Sequence, residues 1–306
     1  MSSKGGLMKK VHICVCVLVC AVVIAVFSSP VNAQNTHYKK NEISDMIQGA
    51  IASAEMASRE VSEGSLRLAG TSINILEKDV RLLGKSLPLE KVYSLLQDAE
   101  VFIGKNAMAH ANNSLDDALR EVNKMKGYSS DTMEKLRAYI NQAQQDIAKG
   151  SSETAKKSIS AAKDLINNTG THVNYQKTQE HIVKAKRAVV DGSADVALAE
   201  IANIHKGLDG LYNNIEASKI RIGLQNAIYY VQKGAVIPAQ SELKIVLNGL
   251  FNISSKAGDN GAGALDSVTE AVKNVSTDIT SGVSKTKDES VEKLNNAFIN
   301  VEAFLD

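Results

Sequence analysis

The residues in this sequence best suited to chemistry are its thiols and imidazoles. A thiolate can act as a nucleophile or a soft metal ligand, and an imidazole as a base or a zinc ligand. All three cysteines, Cys14, Cys16 and Cys20, fall inside one apolar run from Val11 to Phe27. Beyond residue 33 there are five histidines, His37, His110, His172, His181 and His205, and none is paired at i, i+4 with a helical Glu as zinc sites require. His181 lies four residues before Ala185 on the border of an apolar stripe, so a hydrogen-bonded histidine at the edge of a core is expected there. Serine is abundant, but in turns, where it caps helices. Gly261 and Gly263 follow no strand signal and do not make a nucleotide loop. Tyr229 and Tyr230 should point to different helix faces, one packed and one exposed. The sequence therefore offers no catalytic, cofactor-binding or metal-binding residue, and a non-enzyme is expected.

The run that holds the cysteines has its own reading. Lys4, Lys9 and Lys10 precede it, and Ser28-Ser29-Pro30 and Val31-Asn32-Ala33 follow, the layout of a secretory signal with cleavage expected after Ala33. An uncleaved membrane anchor is the alternative. Residues 1–33 carry three of the 35 basic side chains and none of the 34 acidic ones, so the remaining 273 residues have net charge −2. They hold no thiol for a disulfide. This near-neutral balance excludes a polybasic nucleic-acid binder.

The elements that position the remaining residues are set by an internal repeat. Five segments align on apolar, x, x, Ala, x, x, x, apolar, x, x, Gly, then Ala five residues on, with apolar residues at +4, +7 and +11. The leading alanines are Ala57, Ala99, Ala143, Ala185 and Ala227, at intervals of 42, 44, 42 and 42. Spacings of 3 and 4 on both sides of the Gly place one apolar stripe on each of two helices. The Gly (64, 150, 192 and 234, with Asn106 in the second repeat) is where the first helix must end in a left-handed cap. Gly84, Gly127 and Gly170 read as stops for the second helix, and Pro88 and Pro238 fall in helix first turns. Paired alanines either side of the turn let the helices approach closely, so a core is possible with only 4% aromatic residues.

The predicted fold is all-α, with stacked antiparallel helical hairpins over 34–253 (approximately 45–84, 87–127, 130–170, 173–210 and 215–251). One hairpin cannot cover its own apolar stripe, so stacking on its neighbours is expected to complete burial. Residues 254–263 read as a flexible Ser/Gly-rich linker. From 264 to 306 helical spacing resumes, with Leu265, Val268, Val272, Val275, Ile279 and Val283 on one stripe and Val291, Leu294, Phe298, Val301 and Leu305 on another. This hairpin is expected to cap the last repeat, with a coiled-coil dimerisation arm or a membrane-surface helix as alternatives.

Leu87-Pro88-Leu89, Ala99, Ala107, Ala111-Asn112, Leu115 and Ala118-Leu119 resemble the YfdX family, and the repeated Ala-Gly-Ala hairpin is similar to its units. The resemblance covers 45–123 most closely and 130–251 less so, as in a duplicated version. It implies an all-helical periplasmic protein associated with acid and drug stress and without an established catalytic site. Together these readings lead to the expectation of an exported, non-enzymatic helical-repeat protein. It would bind a protein or peptide partner, as a chaperone-like stress factor, with no nucleic acid and with homo-oligomers possible. The alternative is a binder of a small amphipathic ligand in the cell envelope.

Overall fold

The structure, a computed structural model, describes residues 33–257, 259–281 and 287–305. The expected export segment lies outside them except for Ala33. The described residues form eleven helices and no strand: α1 (Ala33–Ser62), α2 (Leu66–Ser86), α3 (Pro88–Gly104), α4 (Met108–Lys124), α5 (Ser130–Ala148), α6 (Ser152–Asn167), α7 (Gly170–Val190), α8 (Ala194–Gln232), α9 (Val236–Ala257), α10 (Asp259–Ser281) and α11 (Lys287–Leu305).

The five repeat turns share one backbone solution. Gly64, Gly150, Gly192 and Gly234 have φ between 70° and 74°, and Asn106 takes the same left-handed conformation at 57°. In each turn the next residue donates its N–H five residues back, as from Ser65 to Glu60 (2.8 Å), Ala107 to Phe102 (2.8 Å) and Ser151 to Asp146 (2.8 Å). This closes the carbonyls that a helix end leaves open. Gly150→Ala, whose methyl group would meet nothing within 4 Å, is expected to cost about 1–2 kcal/mol from backbone conformation alone. Asn106→Gly should instead gain stability. Guanidinium unfolding followed by circular dichroism checks both, and an unchanged Gly150→Ala midpoint would mean that the turn can leave the left-handed region.

The paired alanines, from Ala57 with Ala69 to Ala227 with Ala239, are fully buried. Burial is completed by pairing hairpins into three four-helix units, each with its own core. The second and third hairpins (α3 to α6) enclose one core from Leu89 to Ile166. The first hairpin (α1, α2) finds its cover in the fourth, α7 and the first half of α8, rather than in the second. The second half of α8 and α9 pack with α10 and α11 around the third core. The stripe Leu265, Val268, Val272 and Val275 is buried there, so the face considered for a membrane surface is occupied by packing. From Tyr38 onward the chain groups as one unit.

Three boundaries differ from expectation. The break between 210 and 215 is absent, because α8 runs unbroken for 39 residues. Gly207 and Gly210 are not stops; α7 crosses so closely that a methyl group on either would strike Thr178 or Asn174. From Ile215 to Leu224 every residue of α8 is buried, the signature of a helix enclosed on all sides, and it is here that α8 passes from the first core to the third. Residues 254–263 are helical on either side of Gly258, anchored by buried Ile253 and Leu265. Nor does Gly84 end α2: Leu87 does, held extended (φ −72°, ψ 120°) as the residue before Pro88 must be.

Candidate functional site

α2 buries one face through Ala69, Ser72, Ile73, Leu76, Val80 and Leu83. Its other face is unusual. Leu68, Ile75 and Leu82 recur every seven residues and keep 51%, 46% and 45% of their surface in water. That spacing is close to two turns, so they line one edge of the helix over about 21 Å. The rest of the outward face carries Arg67, Lys78, Arg81 and Lys85, all exposed, and no carboxylate. The two acids of α2 are turned elsewhere: Glu77 Oε2 accepts from Lys186 Nζ of α7 at 2.6 Å, and Asp79 Oδ2 from Ser53 Oγ of α1 at 3.1 Å. The bond from Lys186 holds the Glu77 carboxyl below its ordinary range, with the nearby Arg81 contributing. Arg67, Lys78 and Lys85 have no ion pair among the described residues. Other large apolar side chains are exposed too, among them Val183 and Val190 on α7 and Val236, Ile237 and Phe251 on α9, but among the described residues no helix other than α2 sets three of them at seven-residue spacing.

Arg81 and Lys85 also border a cleft of about 730 Å³ at the corner where α2 meets α3 and α7. Its deepest polar groups are Glu90 in the first turn of α3 and His172 in the first turn of α7, both buried. His172 Nδ1 lies 2.7 Å from Glu90 Oε1, and Gln176 Nε2 donates to Glu90 Oε2 at 3.4 Å. The Tyr93 ring lies against the imidazole with centroids 4.7 Å apart. Burial, with the charge of Glu90 behind it, pushes the Tyr175 phenol up to about 12, so it stays protonated. Tyr175 reaches α2 only because residue 84 is glycine; a methyl group there would lie 1.9 Å from the phenol oxygen.

A carboxylate that orients an imidazole is two-thirds of a hydrolytic triad. Ser94 shares the cleft, but no hydrogen bond joins it to His172, so the nucleophile–base link is missing. What the pair does accomplish is to tie α3 of the second core to α7 of the first. Glu90 and His172 are 82 residues apart, and no local spacing could have announced them.

Among the described side chains His110, His181 and His205 do not converge, and that of His37 lies outside them. His181 Nδ1 lies 2.5 Å from Glu200 Oε2 at the edge of the first core, as its position suggested. His110 rests against Phe102 with ring centroids 5.4 Å apart, and His205 is half-buried. Tyr229 and Tyr230 are both half-buried and touch edge to face, so neither is the exposed tyrosine expected. Among the described residues no group of three or more His, Cys, Asp or Glu side chains could hold a metal ion, and no helix is long and apolar enough to cross a membrane. A second cavity of about 420 Å³, lined by Tyr128, Thr171, Ser218 and Arg221, lies where the second core meets α8.

The fold and these surfaces define an all-α protein of helical hairpins paired into four-helix units. No protein-family model matches the chain, and no solved structure matches it.

Proposed function

We propose that the chain is an exported, non-enzymatic interaction protein that holds a protein or peptide partner against the outward face of α2. The observation that carries this reading is the stripe Leu68, Ile75, Leu82, left half in water on a helix whose other face is fully packed. Covering the remaining half of three such side chains contributes about 2–4 kcal/mol. A micromolar complex needs about 8 kcal/mol, so the polar border of the stripe must take part in binding. The YfdX-like kinship belongs to the same reading, with a stress-protective, chaperone-like role in the periplasm.

Ile75→Lys tests it, because Ile75 is half exposed and its replacement leaves the core of α2 intact. Pull-down from envelope extract should recover a partner with the unaltered protein and lose it with Ile75→Lys. Protection of a client protein from aggregation at low pH should fall in parallel. Equal recovery and equal protection by both proteins would overturn the proposal. Export is checked separately by N-terminal sequencing of envelope-recovered protein, expected to begin at Gln34.

A further inference from the structure

We infer that the partner of α2 is an acidic amphipathic helix, one that sets an apolar residue at every seventh position against Leu68, Ile75 and Leu82 and a row of carboxylates against Arg67, Lys78, Arg81 and Lys85. The inference rests on the interaction reading above and adds the chemistry of the partner. A seven-residue apolar period is what one helix presents to another along a shared seam. An extended peptide repeats every two residues and would find no matching register on α2.

Charge selects among helical partners. The ten exposed residues of α2 include four cations and no anion, and its two carboxylates are bonded to neighbouring helices. A second copy of this chain would bring four cations against four cations, so self-association through this face is disfavoured. A complementary acidic row is favoured, and it also raises the rate of encounter. An anionic membrane would satisfy the cations too. The apolar stripe is narrow, however, and carries no aromatic residue, whereas surface-bound helices insert a broad apolar face, often with Trp or Phe. Arg81 and Lys85 extend the basic row to the mouth of the Glu90–His172 cleft, so a bound helix would end beside a polar recess.

Fluorescence anisotropy of two synthetic helical peptides tests this, both with leucine at every seventh position, one flanked by glutamates and one by lysines. The full-length protein should bind the glutamate peptide at least tenfold more tightly than the lysine peptide, with affinity falling steeply as salt rises. The paired variant Arg81→Glu, Lys85→Glu leaves two cations and two anions on this face and should abolish the preference. All the altered positions are exposed, and circular dichroism verifies the fold; Arg67→Glu with Lys78→Glu provides an independent pair. Equal binding of the two peptides, or a preference that survives both paired variants, would overturn the inference. So would α2-dependent binding to phosphatidylglycerol vesicles without binding of the glutamate peptide. The two proposals fail separately. If Ile75→Lys abolishes partner recovery while the glutamate peptide does not bind, the interaction reading stands and the acidic helix falls. If the glutamate peptide binds with the expected charge dependence while Ile75→Lys changes neither recovery nor protection, the interaction reading falls.

Discussion

Lys219→Met is expected to lower the unfolding free energy by about 3–5 kcal/mol, the cost of leaving a buried carboxylate without its cation. Glu216 and Lys219 lie one turn apart in the enclosed part of α8, and both are buried. Lys219 Nζ donates to Glu216 Oε1 at 2.6 Å and to Ser44 Oγ of α1 at 2.9 Å. Ser44 in turn donates to Glu216 Oε1 at 3.0 Å, and Asn252 Nδ2 of α9 reaches Oε2 at 3.4 Å. The network thus joins helices of the first and third cores through the helix they share. Methionine fits the volume of the lysine stem but offers no charge. Replacing both members, Glu216→Leu with Lys219→Met, should recover most of the loss, because an apolar pair has no desolvation cost to offset. Guanidinium unfolding by circular dichroism measures all three proteins; a single-variant loss below about 1 kcal/mol would mean that Glu216 is solvated and that the pair is a surface-type bridge.

Gly127→Ala is the second large effect expected, about 2–5 kcal/mol, combining the left-handed penalty with overpacking. Gly127 has φ 77° in the turn between α4 and α5. A methyl group there would lie 2.4 Å from the Ser218 carbonyl oxygen and 2.6 Å from its hydroxyl oxygen. Ser218 Oγ also donates to Gly127 O at 2.9 Å, so the turn is clamped onto α8. A carbonyl inside a helix cannot step aside, and Ser218→Gly should therefore not rescue the variant. If Gly127→Ala costs no more than Gly150→Ala, the contact with α8 is loose and the second core is less firmly seated than its geometry implies.

The repeat made much of this architecture legible. The Gly and Asn column located the left-handed residue of all five repeat turns, Asn106 included, and the alanine columns named residues that are fully buried. Which hairpin covers which was not legible, because near-identical columns present near-identical stripes. Residues outside the columns join the units: Glu90 with His172, Ser44 with Glu216 and Lys219, Ser218 with Gly127. Their separations run from 82 to 175 residues, far beyond any local pattern. The α2 stripe was in reach. Leu68, Ile75 and Leu82 are the large apolar residues of that helix left over once the repeat columns, the partly buried Leu66 and the fully buried Leu83 are set aside.

The order in which the hairpins pair also sets a timetable for synthesis. The second core draws only on residues 89–166 and can close as soon as that stretch has emerged. The first hairpin emerges earlier yet must wait for α8 as far as Ile215 before its stripe from Ile43 to Leu83 is covered. At the usual pace of translation that delay is on the order of ten seconds. A nascent chain of this topology therefore carries an open apolar ledge past a finished domain, and it would need a holding factor through that interval.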